Sequence, residues 1–147
     1  MYIISECLLG GNCRYNGGNN RIDQVVDFSK KHNYIAVCPE VEGGLEIPRP
    51  PAEIVEGRVI NCEGTDVTEA FRRGTEIVWD KIVRRSQELG EDIEGGILKA
   101  KSPSCGSGTI YDGTFSRKLI EGDGFLAALL KEKGIKVVNE LEINLED

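Results

Sequence analysis

The sequence predicts a single-domain α/β fold, a mostly parallel sheet flanked by helices with a small β-hairpin insertion. Two observations carry this. Short β-rich runs alternate with amphipathic segments in the order strand, helix, strand, hairpin, helix, strand, helix, strand. The 147 residues show no internal repeat, low-complexity segment or second domain, so residues 1–147 suit one hydrophobic core.

The elements follow from local chemistry. Tyr2-Ile3-Ile4 is β-rich and ends at Ser5-Glu6-Cys7. "LLGGNCRYNGGNNR" reads as a long irregular loop because of its glycines and asparagines. From about Ile22 to Lys31, Ile22, Val25, Val26 and Ser29 share one face of a short helix. Tyr34 to Cys38 is a second strand stopped by Pro39, and in the following "EVEGGLEIPRPPAEI" Pro48, Pro50 and Pro51 exclude helix and central strand alike. Glu53-Ile54-Val55 and Arg58 to Asn61 flank Glu56-Gly57 as a hairpin. A long helix runs from about Val67 to Leu89, capped by Asp66 or Thr65 and ended by Gly90. Its buried face is Phe71, Ile77, Val78, Ile82 and Val83, and Gly74 marks a close approach. Gly96 to Ala100 is a third β-run. After the turn-rich "IYDGTFSR", a helix from Gly124 to Lys133 stops at Gly134, and Ile135 to Val138 is the last strand.

Composition narrows the function classes. With 39% hydrophobic and 29% charged residues the chain reads as an ordinary globular protein, and its net charge of −7 disfavours large polyanions. There is no long basic stripe of the kind that neutralises phosphates; Arg72, Arg73, Lys81, Arg84 and Arg85 alternate with acids and read as a solvated helix face. No apolar run reaches the roughly 20 residues of a membrane helix. "MYIISECLLGG" lacks a basic leader and a cleavage pattern and reads as a first strand, so the protein is expected in the cytoplasm. The single histidine, His32, sits in a polar stretch and reads as a solvent-exposed helix-end residue, which leaves any metal chemistry to thiolates.

Five cysteines at 7, 13, 38, 62 and 105 form an odd set with no CxxC pair, which argues against a disulfide framework in a cytoplasmic chain. In a parallel sheet, ligands bind beyond the carboxyl ends of the strands. Cys7 ends the first strand, Cys38 ends the second, and Cys105 lies just past the third in "KAKSPSCGSG", so these three should converge; Cys62 ends a hairpin strand and Cys13 sits in the first loop. Three thiolates suit zinc or an iron–sulfur cluster better than magnesium or calcium. The pattern alone leaves open three unrelated buried or redox cysteines. In "CPEVEGG", Glu40 and Glu42 follow the thiol at alternating positions and either share its pocket or stand in solvent. Ser102 and Ser104 are turn formers beside Pro103 or hydroxyls aimed at a ligand. Asp112 and Thr114 read as turn residues, and Arg14 and Tyr15 as a polar and stacking edge of the site or a packed loop.

The segments "CLLGGNCRYNGG", "VCPEVEGGLEIPRPPAEI", "GTDVTEAFRRGT", "LKAKSPSCGSGTIYDGTFS" and "GDGFLAALLKEKGIKVVNE" together resemble the thiouracil desulfidase family over nearly the whole chain. The resemblance implies a four-iron four-sulfur cluster held by Cys7, Cys38 and Cys105, with the fourth iron open to the sulfur of a thiolated pyrimidine base or nucleoside. Water then replaces that sulfur at the ring carbon, a hydrolytic desulfuration without redox change that releases sulfide. A Glu and a Ser near the cluster assist, matching Glu40 or Glu42 and Ser102 or Ser104, with preference for Glu42 and Ser102. The chain departs from many relatives at Asn16, where an Asp is usual, and Cys13 is an extra thiol that could compete as a ligand. Two other functions remain alternatives: desulfuration of thiouridine in tRNA, and a non-catalytic metal-binding or sulfide-carrying module.

Overall fold

A computed structural model describes residues 1–142. In chain order the elements are β1 (Tyr2–Ser5), a 3-10 turn (Glu6–Leu9), α1 (Asp23–Ser29), β2 (Tyr34–Val37), α2 (Pro39–Glu42), β3 (Ala52–Val55), β4 (Arg58–Asn61), α3 (Thr68–Leu89), β5 (Gly95–Leu98), β6 (Thr109–Tyr111), β7 (Leu119–Glu121), α4 (Phe125–Glu132) and β8 (Val137–Asn139). Four strands form a wholly parallel sheet in the order β2-β1-β5-β8. Two antiparallel hairpins, β3-β4 and β6-β7, stand beside it.

Strand alternation builds two cores from adjacent residues. Ile3 and Ile4 are both wholly buried, yet they point to opposite faces of the sheet. Ile3 packs with Val78 and Ile82 of α3 and with Leu126 and Leu130 of α4. Ile4 packs with Leu8, Val25 of α1 and Ile97 of β5. Burial on both faces is what lets short parallel strands persist.

The long helix begins at Thr68 and ends at Gly90, which takes the left-handed conformation (φ 65°). Phe71, Val78 and Ile82 are buried as expected, while Ile77 and Val83 are half-buried at the border. Gly74 does mark a close approach. A Cβ there would lie 1.8 Å from the Pro39 carbonyl oxygen, and one on Gly43 would lie 2.0 Å from that of Ala70. Backbone thus rests on backbone, and α2 is seated directly against α3.

The first hairpin turns at Glu56 and Gly57, both at positive φ (50° and 79°), as a two-residue turn requires. Four features differ from the sequence reading. Residues after Ser5 coil into a 3-10 turn before the irregular loop begins. Pro39 opens a one-turn helix, since a proline at the first helical position loses no hydrogen bond. The turn-rich stretch around Asp112 lies inside a second hairpin whose three-residue strands are too short for alternation to register. His32, expected in solvent, is half-buried and stacks on Phe28 with ring centroids 4.1 Å apart. Among the described residues no helix is long and apolar enough to cross a membrane.

Candidate active site

The parallel strands β1, β2 and β5 end around one cavity of about 440 Å³. Cys7 enters from the 3-10 turn after β1, Cys38 from the residue after β2, and Cys105 from the loop after β5. Because β1 lies between β2 and β5, the three thiols come from adjacent strand ends. Cys13 also lines the cavity. Cys62, at the end of β4, is exposed and does not. All five are free thiols. Among the described residues no three Cys, His, Asp or Glu side chains are grouped so as to hold a single metal ion.

Their electrostatics differ with position. Contacts with the Cys38 and Cys7 thiols, together with burial, push the Cys13 ionisation up, and Cys38 Sγ donates to the Cys13 carbonyl at 3.9 Å. The same contacts with Cys13 lower Cys7 to about 7 and lower Cys38 as well. Cys105, buried, is pushed up to about 12 by burial, against the lowering effect of the nearby Ser5 and Ser104 hydroxyls. Ser5 also ties the sheet together at this end. Its hydroxyl oxygen accepts the Lys99 N–H at 2.9 Å, joining the ends of β1 and β5.

A chain of polar groups borders the thiols, and its direction can be deduced. Ser102 Oγ accepts the N–H groups of Ser104 and Cys105, each at 3.1 Å. Ser104 Oγ lies 2.9 Å from Ser102 Oγ and 2.9 Å from Glu40 Oε2. A carboxylate only accepts, so Ser104 donates to Glu40, and the single proton of Ser102 is left to point at Ser104. Ser104 Oγ is also 3.8 Å from Cys105 Sγ, a longer and weaker contact. The other Glu40 oxygen, Oε1, accepts from Arg49 Nε at 3.2 Å.

The paired candidates therefore separate. Glu40 lines the cavity, whereas Glu42 does not and binds Lys81 Nζ at 2.7 Å. Neither alternative holds for both, because the segment is helical: positions i and i+2 lie about 200° apart on a helix, where on a strand they share a face. Ser102 and Ser104 both line the cavity, with Ser102 holding the turn and Ser104 meeting Glu40. Arg14 and Tyr15 border the mouth. Asn16 accepts the Gly18 N–H within its own loop, and Asp112 Oδ1 accepts the Thr114 N–H as a turn residue. Sequence reasoning missed Arg49, Glu53, Lys101 and Arg117, which also line the cavity. The one signal for Arg49 was a lone cation locked between prolines in "PRP".

The fold collects thiols, a carboxylate and hydroxyls at its strand ends, where parallel α/β domains bind their ligands. The chain belongs to the 2-thiouracil desulfurase family, a family of enzymes, whose sequence profile matches residues 2–142. It is 39% identical over 154 aligned positions to the uncharacterized protein YbbK of Bacillus subtilis strain 168, covering 98% of each chain. It is 40% identical to a solved 4Fe-4S-dependent thiouracil desulfidase, TudS, with a TM-score of 0.84 over 97% of this chain and 91% of that one.

Proposed function

We propose that this protein removes sulfur from a thiolated pyrimidine at a four-iron four-sulfur cluster held by Cys7, Cys38 and Cys105. The observation that carries this is the meeting of three strand-end thiols around a cavity whose wall is the Glu40–Ser104–Ser102 chain. The donor set fits the group: three thiols from adjacent strand ends line one cavity, and all-sulfur ligands suit iron–sulfur centres. When bound with three cysteines, such a cluster supplies an iron without a protein ligand, a Lewis acid for the substrate's sulfur. Cys13 sits in the first loop rather than at a strand end and serves as a neighbour of the ligands rather than a fourth one.

The protein's own groups handle the water and its protons. Glu40 accepts a proton from water as its oxygen attacks the thiocarbonyl carbon. Ser104, donating to Glu40, relays a proton toward the departing sulfur, with Ser102 behind it. One water is consumed, the carbon–sulfur bond is replaced by a carbon–oxygen bond, and sulfide leaves with the protons. No electrons are transferred. At the mouth stand Arg14, Lys101 and Arg117, while the two lining carboxylates are engaged, Glu40 by Arg49 and Glu53 by the N–H groups of Gly113 and Phe115. This cationic rim favours a substrate carrying an anion, a thiolated nucleotide, over the bare base; the net charge of −7 disfavours tRNA.

The test is to reconstitute the cluster under argon and measure sulfide released from 2-thiouracil and from a thiouridine monophosphate. Cys7→Ser, Cys38→Ser and Cys105→Ser should each lose most of the iron and all turnover, and Cys62→Ser should keep both. A loaded protein that releases sulfide from no thiolated pyrimidine would sink the proposal.

A further inference from the structure

Arg49 stands apart from the other cations of the cavity because its side chain is only 6% exposed. A buried guanidinium is costly unless its N–H groups are met. Here they are met from three directions. Nε donates to Glu40 Oε1 at 3.2 Å, Nη2 to the Cys13 carbonyl at 2.8 Å, and Nη1 to the Glu46 carbonyl at 3.2 Å. Its backbone N–H adds a fourth tie, to the Tyr15 carbonyl at 2.7 Å. One planar fork therefore joins the first loop, the turn bearing Glu40 and its own proline-flanked segment. A Lys cannot copy this, since its ammonium is a point charge on a flexible stem.

The Glu40 end of the arrangement is the informative one. The carboxylate is 19% exposed and has two assigned partners, Arg49 on Oε1 and Ser104 on Oε2. With both in place its plane and both oxygens are fixed. Without Arg49 the carboxylate is free to rotate about the Ser104 contact or to turn toward solvent. We infer that Arg49 is a positioning residue that acts through Glu40, fixing the carboxylate so that Oε2 faces Ser104 and the cavity. This inference rests on the reading of Glu40 as the group that activates water.

The test is a double-mutant cycle on the cluster-loaded enzyme. Arg49→Met should lower kcat by roughly 10²-fold, the usual cost of a misplaced catalytic group, with a much smaller change in KM. The visible absorption and the iron content should stay those of the native enzyme. Arg49→Lys should recover only part of the lost kcat, because charge without the fork does not orient the carboxylate. In a Glu40→Gln background, Arg49→Met should cost almost nothing more, since the group it positions is no longer acting. In the cluster-free protein, the stability losses of the two substitutions, read by urea unfolding, should likewise be less than additive.

Full kcat in Arg49→Met or in Arg49→Lys overturns the inference, as do fully additive losses in the double variant. Loss of the cluster in both Arg49 variants also overturns it and assigns Arg49 to holding the pocket walls. If Glu40→Gln alone keeps full turnover, it is the role of Glu40 in the proposed function that fails, an outcome separate from a failure of Arg49 alone.

Discussion

In the parallel sheet, neighbouring residues Ile3 and Ile4 are both wholly buried; in the β6-β7 hairpin, Leu119, Ile120 and Glu121 are all exposed, and Phe115 in the connecting segment is 39% exposed. The two regions are held by different forces. Each large apolar side chain buried in the sheet contributes about 1.5–3 kcal/mol. The hairpin's inner segment is tied instead by Glu53, whose Oε1 accepts the N–H groups of Gly113 at 3.0 Å and Phe115 at 3.2 Å. Packing fixes the strand ends that carry the thiols, while polar bonds hold a rim that supplies Arg117 and Phe115 to the same cavity. The thiols thus sit on the part held by packing, and Arg117 and Phe115 on the part held by polar bonds.

The contrast is sharpest where the scaffold delivers a reacting group. Glu40→Gln should lower turnover by roughly 10²–10⁴-fold, the range of general acid–base assistance, with the cluster retained. Glu42→Gln should leave turnover near native, because that carboxylate faces Lys81 outside the cavity. Equal losses in the two would break the assignment. In the scaffold itself, Gly74→Ala forces a Cβ onto the Pro39 carbonyl and should cost about 3 kcal/mol or more in urea unfolding. Because α2 carries Glu40 and follows Cys38, activity should fall with stability in this variant. On the rim, Arg117→Ala should change stability by no more than about 0.5 kcal/mol, as at other exposed sites. It should raise KM for a thiolated nucleotide and leave that for the bare base unchanged. A stability loss of the scaffold's size at Arg117 would erase the distinction between the two regions.

Most of the scaffold was legible in the sequence because its signals are long or sharply punctuated. The apolar period of the Thr68–Leu89 helix, the β-rich runs stopped by Pro39 and Gly134, and the Glu56-Gly57 turn all act locally. Locating the cysteines at strand ends was enough to bring 7, 38 and 105 to one cavity. What stayed hidden depends on geometry that no spacing encodes. One helical turn after Pro39 decides which glutamate faces inward. The burial of Arg49 depends on a carbonyl from the Cys13 loop, far away in the chain. The second hairpin is built from strands of three residues and buries Ile110 while leaving Leu119 and Ile120 outside, so hydrophobic patterning has little to report there.

The central place of β1, between β2 and β5, also bears on how the protein is made. Cys7, Cys38 and Cys105 are neighbours only through strand pairings between distant parts of the chain, each of which closes a long loop. A pair of cysteines two residues apart can catch a metal on a nascent peptide; these three cannot, since the last follows a strand emerging after most of the chain is synthesised. If Cys7, Cys38 and Cys105 hold the cluster as proposed, its assembly waits for a completed sheet and meets a cavity already shaped.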